Sequence, residues 1–163
     1  MLRALGRNSF HSNFKELFII TCSSKSTVMV WGAVIGMAAS QVLGMILYST
    51  LVLGKPWMKG NFPGKTITQI KELQGKIGPV SYPLCLASQA ALIIALHYFI
   101  GSFLKVTSIA VAVKVGVSLT GMAMLVDLPH CLFGQRSLVV FVIDHIYNLL
   151  VFVTMSVCLV YLG

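Results

Sequence analysis

Acidic residues are nearly missing from this chain: Glu16, Glu72, Asp127 and Asp144 are the only four among 163 residues, and charged residues of both signs make up 10%. So sparse a supply of charge, with 57% apolar residues and a mean hydropathy of +0.90, excludes an ordinary water-soluble domain. The four cysteines, Cys22, Cys85, Cys131 and Cys158, form no CxxC pair and no zinc spacing, so they supply neither a disulfide framework nor a metal cluster and act as small apolar fillers. The sequence also lacks a GxSxG elbow, a Walker loop, a GxGxxG fingerprint and an HExxH or ExxH pair. It offers no catalytic residue, no metal site and no cofactor motif, and the expectation is a protein that is not an enzyme.

What is present is long apolar runs. Residues 28–53 contain no charge; residues 80–103 are apolar with one histidine; residues 106–128 contain Lys114 and end at Asp127; residues 138–162 contain Asp144 and His145. Each is long enough for the roughly 20 residues that cross a bilayer. The fold class expected is therefore all-α, a polytopic membrane protein built as a four-helix transmembrane bundle. The intervening stretch 54–79 carries five lysines and several prolines and glycines, which reads as an exposed basic loop. Pro129 is expected to stop the third helix.

The formal charge of +8 comes from twelve Lys and Arg, and all but Lys114 fall in the tail or the connections. This distribution suits a bilayer with anionic headgroups as the partner, and no nucleic acid is expected, since no clustered basic face or recognition motif occurs. Residues 1–27 mix Arg3, Arg7, Lys15 and Lys25 with serines and the single acid Glu16. The segment fits three descriptions: a mitochondrial presequence, an interfacial helix burying Phe10, Phe14, Leu17 and Phe18, or an unstructured basic tail. Orientation depends on which applies. With the tail retained, five basic residues on its side face six on the side of the 54–79 loop. If about 20 residues are removed after import, two face six, and the loop lies on the cytoplasmic or matrix side. The chain is multi-pass, and a presequence makes it a protein of the mitochondrial inner membrane.

Gly32, Gly36, Ser40 and Gly44 recur every four residues along the first helix, a stripe of small side chains that lets another helix approach closely in lipid. Ala87, Ala91 and Ala95 repeat the pattern in the second helix, and Ser108, Ala112, Gly116 and Thr120 in the third. These faces suit packing within the chain, a homo-oligomer or a larger membrane complex. Gln41 and Gln89 sit mid-span, where a buried amide needs a partner; a mutual interhelical hydrogen bond is the economical solution, contributing on the order of 1 kcal/mol.

Ionisable groups within spans are the remaining candidates for chemistry. His97 and Lys114 approach one membrane face, where Lys114 can snorkel. Asp127, His130, Asp144 and His145 surround the last hairpin, with Asn148 at i+4 from Asp144. Two carboxylates and two histidines suit a divalent metal or a proton path, whereas local hydrogen bonding, including Asp144 to Asn148, is the structural alternative.

Two segments, residues 43–59 and 134–150, resemble the membrane family catalogued as domain of unknown function 1761. Leu43-Gly44-Met45-Ile46-Leu47-Tyr48-Ser49 followed by Leu53-Gly54-Lys55-Pro56-Trp57-Met58-Lys59 is similar to its LGxxWYSPxxFGKxWM pattern, departing at Leu47, Thr50 and Leu53. Gly134-Gln135-Arg136-Ser137-Leu138 with Ile143-Asp144-His145-Ile146-Tyr147-Asn148-Leu149-Leu150 is similar to its GRSxxLxxIDxxYxLL segment. The resemblance implies a four-helix integral membrane protein and brings no activity. It places Tyr48, Trp57, Arg136, Asp144 and Tyr147 on motif positions. Physically, Tyr48, Lys55, Trp57, Lys59 and Arg136 form an expected interfacial anchor, with Arg136 free to meet a phosphate or Asp144. The function expected is that of a non-catalytic structural or accessory membrane component, with a small-solute or proton carrier acting as an oligomer through Gln41, Gln89, Lys114 and Asp144 as the alternative.

Overall fold

A computed structural model describes residues 30–162. These form five α-helices: α1 (Val30–Leu47), α2 (Gly54–Asn61), α3 (Ile67–His97), α4 (Ile109–Phe133) and α5 (Leu138–Tyr161). Among the described residues there is no strand. Four helices, all but α2, are long and apolar enough to cross a membrane, which makes the protein an all-α, multi-pass membrane protein. The readings of residues 1–27 lie outside the described residues.

The first helix ends at Leu47, earlier than the charge-free run suggested, because the chain turns there. Leu53 N–H donates to Leu47 O at 3.0 Å and Gly54 N–H to Ser49 O at 2.8 Å, closing a tight turn. Gly54 is obligatory in it, since a Cβ there would overlap the Tyr48 and Ser49 carbonyls. α2 follows at once, with Pro56 in its first turn, where a missing N–H costs nothing.

The stretch 54–79 is therefore not a loop. Besides α2 it contains the first turns of α3, opened by a capping box in which Thr66 N–H donates to Gln69 Oε1 (2.9 Å) and Gln69 N–H to Thr66 Oγ1 (3.4 Å). Lys76 pairs with Glu72 at 3.0 Å on an exposed i,i+4 face. Pro79 and Pro83 lie inside the helix, four residues apart and both exposed, so the two interrupted ladder bonds fall on one outer face. At 31 residues, α3 is about 46 Å long, more than the roughly 30 Å hydrocarbon core, so its polar N-terminal turns extend beyond the span. It continues into a π-helical segment, Tyr98–Phe103, where Leu104 N–H reaches back to Phe99 O at 2.9 Å.

Pro129 likewise fails to stop α4, which runs one turn further to Phe133. The turn into α5 is closed by Gly134 N–H to His130 O (2.9 Å) and Arg136 N–H to Cys131 O (3.0 Å), with Gln135 at positive φ. α4 and α5 pack closely: a Cβ on Gly116 would come within 2.8 Å of Val153 Cα. The core gathers Ile93, Leu96 and Ile100 against Val151, Met155 and Leu159 of α5. Valines and leucines on the outer faces remain exposed, as expected of helices solvated by lipid.

Candidate functional site

α5 presents Asp144, Tyr147 and Asn148 at i, i+3 and i+4, and therefore on one face. α1 presents Gln41 and Gly44 opposite them, the turn after it Tyr48, α3 adds Gln89, and α2 brings in Trp57. One oxygen of Asp144, Oδ1, accepts two hydrogen bonds of 2.9 Å, from the Tyr48 hydroxyl and from the Trp57 indole N–H. Tyr48 stands edge-on to Trp57 at 5.3 Å between ring centres and to Tyr147 at 5.4 Å. Tyr48 lies one residue beyond the α1 span. Its burial, followed by the hydrogen bond and negative charge of Asp144, holds its pKa above the ordinary tyrosine range, so the phenol remains a donor.

A second chain of bonds runs deeper. Gln41 Nε2 donates to Gln89 Oε1, and Gln89 Nε2 donates to the Tyr147 hydroxyl at 2.7 Å, tying α1, α3 and α5 together. The three helices border a groove of about 700 Å³. Its polar wall is Gln41, Gln89, Tyr147 and Asn148; Met45, Leu92 and Val151 supply apolar lining, and Tyr82, Cys85 and Ser88 of α3 edge it. Sequence alone assigns Tyr82 and Ser88 no role and Cys85 only that of an apolar filler, although Tyr82, Cys85 and Gln89 fall at i, i+3 and i+7, a helical face mixing polar and small residues.

Gly32, Gly36, Ser40 and Gly44 all lie on the buried side of α1 or its flank. A Cβ on Gly32 would meet Cys158 O at 2.9 Å, one on Gly36 would meet Ile93 at 3.1 Å and Cys158 at 3.3 Å, and one on Gly44 would meet the Tyr147 ring at 3.2 Å. Ser40 is fully buried and its hydroxyl donates to Gly36 O at 2.8 Å. In α4, Ala112, Gly116 and Thr120 are buried, whereas Ala87, Ala91 and Ala95 of α3 face outward.

The last hairpin does not assemble. His130 is exposed on α4, and Asp127 is half-buried one turn before it. His145 is buried with Nδ1–H donating to Phe141 O at 2.8 Å, its ring 4.2 Å from that of Phe141. Among the described residues no three His, Cys, Asp or Glu converge as metal ligands. Asp144 bonds Tyr48 and Trp57 instead of Asn148, and it forms no ion pair with Arg136; Lys76–Glu72 is the ion pair present among the described residues. The expected interfacial anchor therefore divides: Lys55, Lys59 and Arg136 are exposed, whereas Tyr48 and Trp57 turn inward. Lys114 is exposed on α4 and outside the groove lining, and His97 is half-buried at the end of α3, edge-on to Tyr98.

A family model described as protein of unknown function (DUF1761) matches residues 31–160. No curated protein and no solved structure matches the chain. The two resembling segments, 43–59 and 134–150, converge in space: Tyr48 and Trp57 of the first meet Asp144 and Tyr147 of the second.

Proposed function

This chain belongs to the domain of unknown function 1761 family, and from that premise and its own geometry we propose that it is a non-catalytic accessory component of a larger membrane assembly. The observation that carries this reading is the Asp144 carboxylate. An acid within a span is the first place to seek chemistry, and here its Oδ1 binds the end of α1 and α2 to α5. The same holds for the amides: Gln41 and Gln89 join helices, each such bond contributing about 0.6–1 kcal/mol in a membrane. The small-residue faces of α1 and α4 meet α5 of the same chain, so these serve the internal fold. The outward face of α3, with Ala87, Ala91 and Ala95, is then the surface for a second copy or a larger partner.

The bilayer is the first partner: Lys55, Lys59 and Arg136 are exposed near the ends of helices and meet anionic headgroups. The mitochondrial inner membrane is the compartment that follows if residues 1–27 act as a presequence. Purification of the tagged full chain in mild detergent tests the role. A stoichiometric complex, together with no solute flux in reconstituted vesicles, supports it; flux abolished by Asp144→Asn overturns it in favour of the oligomeric carrier. Within that alternative, Gln41 and Gln89 border the groove whereas Lys114 does not.

A further inference from the structure

We propose that the groove between α1, α3 and α5 binds an uncharged amphiphile, a molecule whose head carries a carbonyl or hydroxyl oxygen and whose hydrocarbon tail extends into the bilayer. This goes beyond the accessory role and does not depend on it. The groove's volume, about 700 Å³, is that of a small-molecule site. It also lies at membrane depth. Gln41 is six residues before the end of α1 and Tyr147 nine residues into α5, placing them about 9 and 14 Å along their helices from those ends.

The polar wall has hydrogen-bonding capacity left over. Gln41 donates one of its two amide hydrogens to Gln89, and its own carbonyl has no partner among the described residues. Gln89 keeps a second amide hydrogen. The Tyr147 hydroxyl accepts from Gln89 without donating to any described residue, and the Asn148 side chain has no hydrogen bond among them. In hydrocarbon there is no bulk water to satisfy such groups, and each one left alone is costly. A head that both accepts and donates, or accepts from several donors, removes that cost.

The charge pattern selects against an anion. Among the described residues no Lys, Arg or His borders the groove, and the carboxylate of Asp144 lies just behind Tyr48 and Trp57, which themselves form part of the wall. A cationic head finds no acid among the described lining residues either. For the tail there are Met45, Leu92 and Val151, and the rim is open: Met45, Tyr82 and Cys85 are exposed. A ligand can therefore enter sideways from the lipid between α1 and α3.

The test uses the full chain in phosphatidylcholine nanodiscs with three photoactivatable, clickable probes: a diacylglycerol and a decyl-tailed benzoquinone as neutral heads, and a phosphatidic acid as the anionic head. Crosslinked peptides are mapped by mass spectrometry. The expected result is saturable labelling of the segments around Met45, Cys85 and Val151 by one or both neutral probes, competed by excess unlabelled compound. Which neutral probe labels separates a glyceride from a quinone. Ser88→Phe, which places bulk at the rim, and Asn148→Leu, which removes an amide, are each expected to lower this labelling about fivefold, the equivalent of one hydrogen bond. Should Ser88→Phe fail to elute as wild type, Asn148→Leu carries the comparison. Labelling spread evenly over α4 as well, labelling that is not competed, equal labelling by phosphatidic acid, or folded variants that label like wild type would each overturn the proposal.

Discussion

The Tyr48 hydroxyl donates to Asp144 Oδ1 at 2.9 Å across 96 residues of sequence, and the Trp57 indole donates to the same oxygen at the same distance. Both donors meet a single oxygen. Asn supplies an equivalent carbonyl oxygen, so Asp144→Asn is expected to retain both bonds and change stability by less than about 1 kcal/mol. Asp144→Leu leaves a hydroxyl and an indole N–H buried without a partner and should cost about 2–4 kcal/mol. Thermal unfolding in detergent, followed by circular dichroism, distinguishes the two; equal losses would mean that the negative charge itself holds the site.

Gln41 and Gln89 supply a second test, because their bond joins α1 to α3. A double-mutant cycle with Gln41→Leu and Gln89→Leu should give a coupling of about 0.6–1.5 kcal/mol. Tyr147→Phe should lose less than Gln89→Leu, since it removes one acceptor while Gln89→Leu breaks both of its recorded bonds. Additive single losses would show that each amide finds another partner in the bilayer.

Composition and hydropathy made the spans legible, because a bilayer imposes length and apolarity on any helix that crosses it. The mid-span amides were legible for the related reason that hydrocarbon leaves them few solutions. The helical course of residues 67–79 was not, since Gly75, Gly78 and Pro79 weigh against a helix, although the Thr66–Gln69 box and the Glu72–Lys76 spacing are signatures of a helix start and an exposed helical face. The partner of Asp144 was also hidden. Of its neighbours in sequence, His145 turns to Phe141 O and Asn148, though on the same face, makes no bond to it, and a bond to Tyr48 depends on how the end of α1 packs on α5. The resemblance had marked Tyr48, Trp57, Asp144 and Tyr147 together without saying that they touch.

The helical assignment of the lysine-rich stretch carries its own prediction. Gly75 sits within α3, and a Cβ there meets nothing within 4 Å. Gly75→Ala should therefore stabilise the protein by about 0.5–1 kcal/mol through helix propensity alone. Hydrogen exchange of residues 67–78 in nanodiscs should show the corresponding gain in protection. No gain, with exchange at the rate of an open chain, would restore this stretch to a loop.

Glycines in α4 separate packing from propensity within a single helix. Gly116 and Gly121 share the same helical backbone, yet a Cβ on Gly116 would fall 2.8 Å from Val153 Cα and 2.9 Å from Val153 N, while one on Gly121 would meet nothing within 4 Å. The clash at Gly116 is with backbone, which cannot rotate away, so α4 and α5 must separate and lose contacts along their length. Gly116→Ala should therefore destabilise by about 1–3 kcal/mol, in the range of overpacked cores. Gly121→Ala should be neutral or stabilising by up to about 1 kcal/mol, because only the backbone entropy of glycine changes. The two effects have opposite sign for one methyl group on one helix, so comparing their unfolding midpoints cancels any general response of α4 to substitution. If both variants shift the midpoint in the same direction, the close approach of α4 to α5 at Gly116 is not what holds the pair together.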